Sequence, residues 1–110
     1  MPADQFIQLA KKIDEGYELK YNKFYIGIAK NGKASNFFSL RPKKNFIQFY
    51  PRLKESTDTT NEIEEAGLTI IGYSNRGRHY KIKLFPEDVK NYEDILFNLM
   101  KQAHEEYGVI

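Results

Sequence analysis

Two runs of alternating apolar and polar residues meet at Asn31-Gly32. Asn-Gly is the pair that a two-residue hairpin favours, because both central residues of a type I′ turn need positive φ. Upstream, Phe24, Ile26 and Ile28 alternate with Tyr25, Gly27 and Ala29. Downstream, Phe38 and Leu40 alternate with Phe37, Ser39 and Arg41. The pattern predicts a strand over 18–30 and an antiparallel return over 34–41. Pro42-Lys43-Lys44-Asn45 reads as a second turn, and 46–50 as a third strand with Ile47 and Phe49 inward.

The flanks read as helix and strand. Phe6, Leu9, Ala10 and Ile13 recur at helical spacing, so residues 4–15 are predicted helical, with Asp4 as cap and Gly16 as stop. A short helix over 61–66 would start at Thr59, Thr60 or Asn61 and end at Gly67. Leu68–Tyr73 and Tyr80–Phe85 read as strands joined by Ser74-Asn75-Arg76-Gly77-Arg78, with Gly77 as the left-handed residue. Pro86 opens a turn of helix over 86–90. Asn91 would cap a last helix over 92–106, with Tyr92, Ile95, Leu96, Leu99 and Ala103 inward and Gly108 just beyond. The expected order is α-β-β-β-α-β-β-α. That is one α+β domain over residues 1–110, with helices packed on a five-stranded antiparallel sheet.

Charge is segregated along this pattern. The net charge of +2 conceals a stretch, 17–54, with nine Lys and Arg against Glu18 alone, a balance of +8. Residues 68–83 add Arg76, Arg78, Lys81 and Lys83 with no acid. Residues 55–67 sum to −5 and residues 84–110 to −4, so strands and turns are basic while helices are acidic. A period of two divides the aromatic rings as well. Phe24, Phe38 and Phe49 join the aliphatic core face. Tyr25, Phe37, Phe46 and Tyr50 fall on the other, with Lys23, Arg41, Gln48, His79, Lys81 and Lys83. A sheet face mixing rings with cations can stack bases and neutralise phosphates. Equally, such a face could lie under a helix or form a dimer surface.

Residues for chemistry are sparse. The chain has no Cys, which removes thiol catalysis, disulfides and zinc ribbons. Its two histidines have no companion at metal-ligand spacing. His104 sits where it favours a helix C-terminus, and His79 reads as a solvent-facing strand residue whose charged form Arg78 disfavours. Glu18-Leu19-Lys20 echoes a nuclease element but lacks a preceding Asp on a matching strand end, so it reads as a charge pair. Arg76 and Arg78, flanking Gly77, could present guanidinium groups to a phosphate. Neither a phosphate loop nor a dinucleotide motif is present, so no cofactor or metal is expected. The start of the chain lacks a signal-peptide pattern, and no apolar run approaches the ~20 residues of a membrane span. The expectation is a soluble, cytoplasmic protein without membrane association.

The string Lys23-Phe24-Tyr25-Ile26-Gly27-Ile28, the later Asn45-Phe46-Ile47, and the ending Tyr92…Ile95-Leu96…Leu99-Met100…Ala103…Tyr107 resemble a bacterial and archaeal domain of unknown function. That domain usually lies at the C-terminus of proteins linked to restriction systems or predicted nucleases, and is sometimes labelled a predicted transport protein. The resemblance covers about residues 18–107. The family's turn often reads Gly-x-Gly-Asp-Tyr, where this chain has Asn75-Arg76-Gly77-Arg78-His79-Tyr80 and no Asp. The resemblance implies no catalytic residues. The expected function is a non-catalytic accessory module that binds nucleic acid. Arg41, Lys43, Lys44, Arg76, Arg78, Lys81 and Lys83 would meet phosphates, and Tyr25, Phe37, Phe46 and Tyr50 would stack on bases. The alternative is a protein-interaction or homodimerisation module using the same face.

Overall fold

Asn31 (φ 54°) and Gly32 (φ 77°) both take positive φ, as a type I′ turn requires. In the computed structural model, which describes residues 2–107, this turn joins β2 (Ile26–Lys30) to a two-residue strand, β3 (Lys33–Ala34). The other strands are β1 (Tyr17–Tyr21), β4 (Phe38–Pro42), β5 (Ile47–Pro51), β6 (Thr69–Ser74) and β7 (His79–Leu84). The helices are α1 (Pro2–Lys11), α2 (Thr57–Glu65) and α3 (Glu93–Tyr107), the last continuous with a 3₁₀ segment, Pro86–Tyr92. The fold is α+β on an antiparallel sheet, ordered β1-β2-β4-β5-β7-β6, with β3 paired to β2. There are seven strands where five were expected. Asn91 caps nothing, since the 3₁₀ segment runs straight into α3. Gly108 lies outside the described residues.

The expected first strand divides in two. Asn22 N–H donates to the Tyr25 carbonyl (2.9 Å), so Lys23-Phe24 become the tip of a β1–β2 hairpin. Register along the pair runs from Tyr17↔Lys30 to Tyr21↔Ile26. Phe24, expected in the core, is therefore 70% exposed, because alternation stops where the chain turns. Phe37 moves the opposite way. Residues 35–37 leave the ladder: Asn36 Oδ1 accepts from Ile28 N–H (2.8 Å), and Phe37 N–H reaches back to the Ser35 carbonyl (2.8 Å). That excursion breaks the period-two count, so Phe37 and Phe38 both point inward. Phe37 lies 5.0–5.2 Å, ring to ring, from Phe38, Tyr17 and His104.

Helix α2 begins at Thr57, ahead of the expected start. Its N-cap is Ser56, whose Oγ accepts from Thr59 N–H (3.1 Å). Buried Tyr80 fixes this point from β7. Its hydroxyl accepts from Ser56 N–H (3.1 Å), approaches the Ser56 carbonyl (3.2 Å) and shares a hydrogen bond with Thr60 Oγ1 (2.9 Å). Tyr73 holds the preceding loop, donating to the Leu53 carbonyl (2.7 Å) and accepting from Glu55 N–H (3.1 Å). At the other end, Gly67 takes φ 93° and bonds back to Glu64, while Leu68 N–H reaches Ile63. These paired bonds satisfy the last carbonyls of the helix.

All three helices lie on one side of the sheet. Phe6 of α1 meets Phe49 of β5 (5.3 Å), and Ile63, Leu96, Leu99 and Met100 join the same cluster as Ile28, Leu40 and Ile82. An Asp14–Lys30 ion pair ties the loop after α1 to β2. Gln102 on α3 donates to Glu62 on α2 (3.0 Å). Among the described residues, no helix is long and apolar enough to cross a membrane.

Candidate nucleic-acid interface

Covering one sheet face with all three helices leaves the other bare. Cross-strand register fixes what stands there: Ser39 opposite Tyr50, Arg41 opposite Gln48, Gln48 opposite Lys83, and Ser74 opposite His79. Tyr25, just before β2, shares that side. Of the residues expected here, Tyr25, Arg41, Phe46, Tyr50, Lys81 and Lys83 do come together on this face. Phe37 does not, because its ring is fully buried beneath the helices and cannot stack on a base. Lys43 and Lys44 are exposed on the β4–β5 turn at one end of the face. Arg76 and Arg78 are exposed on the β6–β7 turn at the other. Arg78, not Gly77, is the left-handed residue of that turn (φ 55°).

Two of the rings on this face, Tyr50 and Phe46, lie under a neighbouring cation. Tyr50 is only 7% exposed: His79 stacks on it at 4.6 Å and 12°, and the Arg41 guanidinium lies 5.7 Å from its centre. Its hydroxyl donates to Gln48 Oε1. The surface offered for stacking is therefore the outer side of His79, together with half-buried Tyr25 and Phe46, over which Lys83 Nζ sits at 4.6 Å. Gly77 keeps His79 in place by being small. A Cβ there would fall 2.5 Å from the imidazole. Gly77 N–H donates to Ser74 Oγ (2.9 Å), which closes the turn behind the ring.

Electrostatically the face is basic. Glu18, on edge strand β1, is the one acid in the seven strands. Burial holds His79 below the ordinary histidine value, and Lys81, Arg52 and Arg41 push it further down. Burial also raises the Tyr50 phenol, against the pull of Arg41. At the centre of the face is a shallow basin of about 330 Å³, walled by Tyr25, Ser39, Arg41, Tyr50, Ser74, His79 and Lys81. Arg41 Nε is shielded from solvent there and has no hydrogen-bond partner among the described residues.

A larger groove, about 650 Å³, runs along the Arg78 end of the sheet. Its charges are mixed, with Arg52, Lys54 and Arg78 beside Glu55 and Glu106. Arg52 rests on the Tyr107 ring (4.4 Å), and Glu106 accepts from Lys54 N–H (3.0 Å). No three His, Asp or Glu side chains among the described residues gather as metal ligands. Sequence reasoning placed His79 on the correct face but gave it no role. Alternation also placed Ser39 on this side without giving it a role, whereas Ser74, read as part of the connecting loop, is the last residue of β6. Arg52, which reaches across to Tyr107, left no such signal. No family model, curated protein or solved structure matches the chain closely enough to supply a relative.

Proposed function

We propose that this protein is a non-catalytic module that binds nucleic acid through the bare sheet face. One observation carries the reading: the helices cover one face only, and the other presents Arg41, Lys81 and Lys83 with Tyr25, Phe46 and His79, without acidic partners among the described residues. Backbone phosphates would meet the cations, including Lys43 and Lys44 at one end and Arg76 and Arg78 at the other. Unstacked bases would lie on the half-buried rings, which favours single strands over a duplex. The resemblance noted in the sequence fits an accessory domain beside a processing enzyme in the cytoplasm.

Fluorescence anisotropy with labelled single- and double-stranded oligonucleotides, across a salt series, tests the reading. Affinity should fall linearly with log salt, by about 0.7 in slope for each phosphate neutralised on a single strand. Absence of binding at low salt would overturn it. A second reading rests on Tyr21 and Phe24, which are 62% and 70% exposed at the β1–β2 hairpin. Two exposed rings on one hairpin suit a protein partner or a second copy of this chain. Sedimentation would then show a concentration-dependent dimer that persists through moderate salt.

A further inference from the structure

The basin around Arg41 is more specific than a basic surface needs to be. An exposed lysine satisfies its donors with water. Arg41 Nε is closed off from water and lacks an acceptor among the described residues. A donor shielded in this way meets a ligand only if the side chain shifts, so the groups that line the basin are what an occupant would contact. Around it stand groups that donate to an oxyanion: Lys81 from β7, and the hydroxyls of Ser39 on β4 and Ser74 on β6. Among the described residues, no carboxylate lines the basin. The stacked Tyr50–His79 pair also lines it.

From this arrangement we infer that the basin is a seat for one phosphoryl group, held by the fork of Arg41 and the ammonium of Lys81. Resting on the nucleic-acid reading above, that group is an internucleotide phosphate of a strand crossing the face. Arginine suits the task because its donors are fixed in a plane that matches two oxygens at once. The hydroxyls of Ser39 and Ser74 complete the shell. The outer side of the His79 ring then lies beside the seat, where the next base can stack.

His79 is the natural reporter. The groups facing it are Lys81 on its own strand, the Gly77 backbone in the turn before it, Arg41 from β4, Tyr50 from β5, Arg52 just after β5, and Ser74 from β6. The test follows the His79 ring protons by NMR while the full chain is titrated with inorganic phosphate, and separately with a short oligothymidylate. The wild type is compared with Arg41→Gln, Arg41→Lys, Lys81→Gln and the control Lys90→Gln on the helix side. In the wild type, phosphate should shift the His79 signals and raise their titration midpoint. Arg41→Gln and Lys81→Gln should each weaken phosphate binding about tenfold or more, the effect of losing a charge-assisted hydrogen bond. Arg41→Lys should restore only part of it, and Lys90→Gln should change nothing. Oligonucleotide binding that survives Arg41→Gln intact, with no response of His79 to phosphate, would overturn the seat while leaving the nucleic-acid reading standing. A phosphate response without oligonucleotide binding would uphold the seat and overturn the strand as its source. Silence in both titrations would overturn both.

Discussion

Tyr80 does more for this fold than fill the core. Its hydroxyl is the anchor for Ser56 and Thr60, which together set where α2 begins. Tyr80→Phe keeps the ring but leaves Ser56 N–H without its partner. Urea denaturation should show a loss of about 0.5–1.5 kcal/mol, the net worth of a hydrogen bond whose freed donor can reach water. Gly67→Ala puts a side chain at φ 93° and should cost about 1–2 kcal/mol in the same assay. His79 gives a pH signature. Unfolded, it titrates near 6.5; folded, burial and its cationic neighbours hold it lower. Between those two values the unfolded chain binds the extra proton. Stability should therefore be constant above the ordinary histidine value, fall as acid is added through that window, and flatten below it. Histidine NMR against pH, alongside denaturation at each pH, checks the direction.

At the scale of elements, local signals were legible where the partners are close in sequence. The Asn31-Gly32 turn, the Gly67 stop and the β6–β7 hairpin all follow from residues within a few positions of one another. The misplaced elements depend on distant ones. Ser56 became the cap because Tyr80, 24 residues away, holds it. Phe37 turned inward because Asn36 pairs with Ile28 and interrupts the alternation, and period-two counting has no means of registering an interruption. The Lys23-Phe24 tip itself carries no Gly or Asn, and Asn22, which opens the turn, is a weak signal inside an otherwise strand-like run. The candidate site was legible to the same degree. Alternation found its strand residues, whereas the cover that His79 and Arg41 give to Tyr50 is a matter of packing. Gly77→Ala tests that packing. The new methyl should displace the imidazole from Tyr50, moving the His79 titration upward as the ring gains solvent, with little change in overall stability.

For the whole molecule, the arrangement of layers converts a sequence pattern into a polarity. Acids such as Asp58, Glu62, Glu64 and Glu65 belong to α2, and Glu93, Asp94, Glu105 and Glu106 to α3. The bare sheet face carries the opposite sign. The bulge between Ile70 and Gly72 interrupts the ladder of edge strand β6, which discourages edge-to-edge pairing of sheets on that side. The molecule is 25 Å across in its shortest dimension, and this sets how a polyanion perceives it. At ~0.01 M salt, fields reach about 30 Å, so both layers are felt at once and partly cancel. At physiological salt they reach only about 8 Å, and an approaching strand senses the nearer layer alone. If a polyanion binds as proposed, adding salt would therefore weaken each contact while sharpening the difference between the two sides, so that moderate ionic strength would select orientation even as it cost affinity.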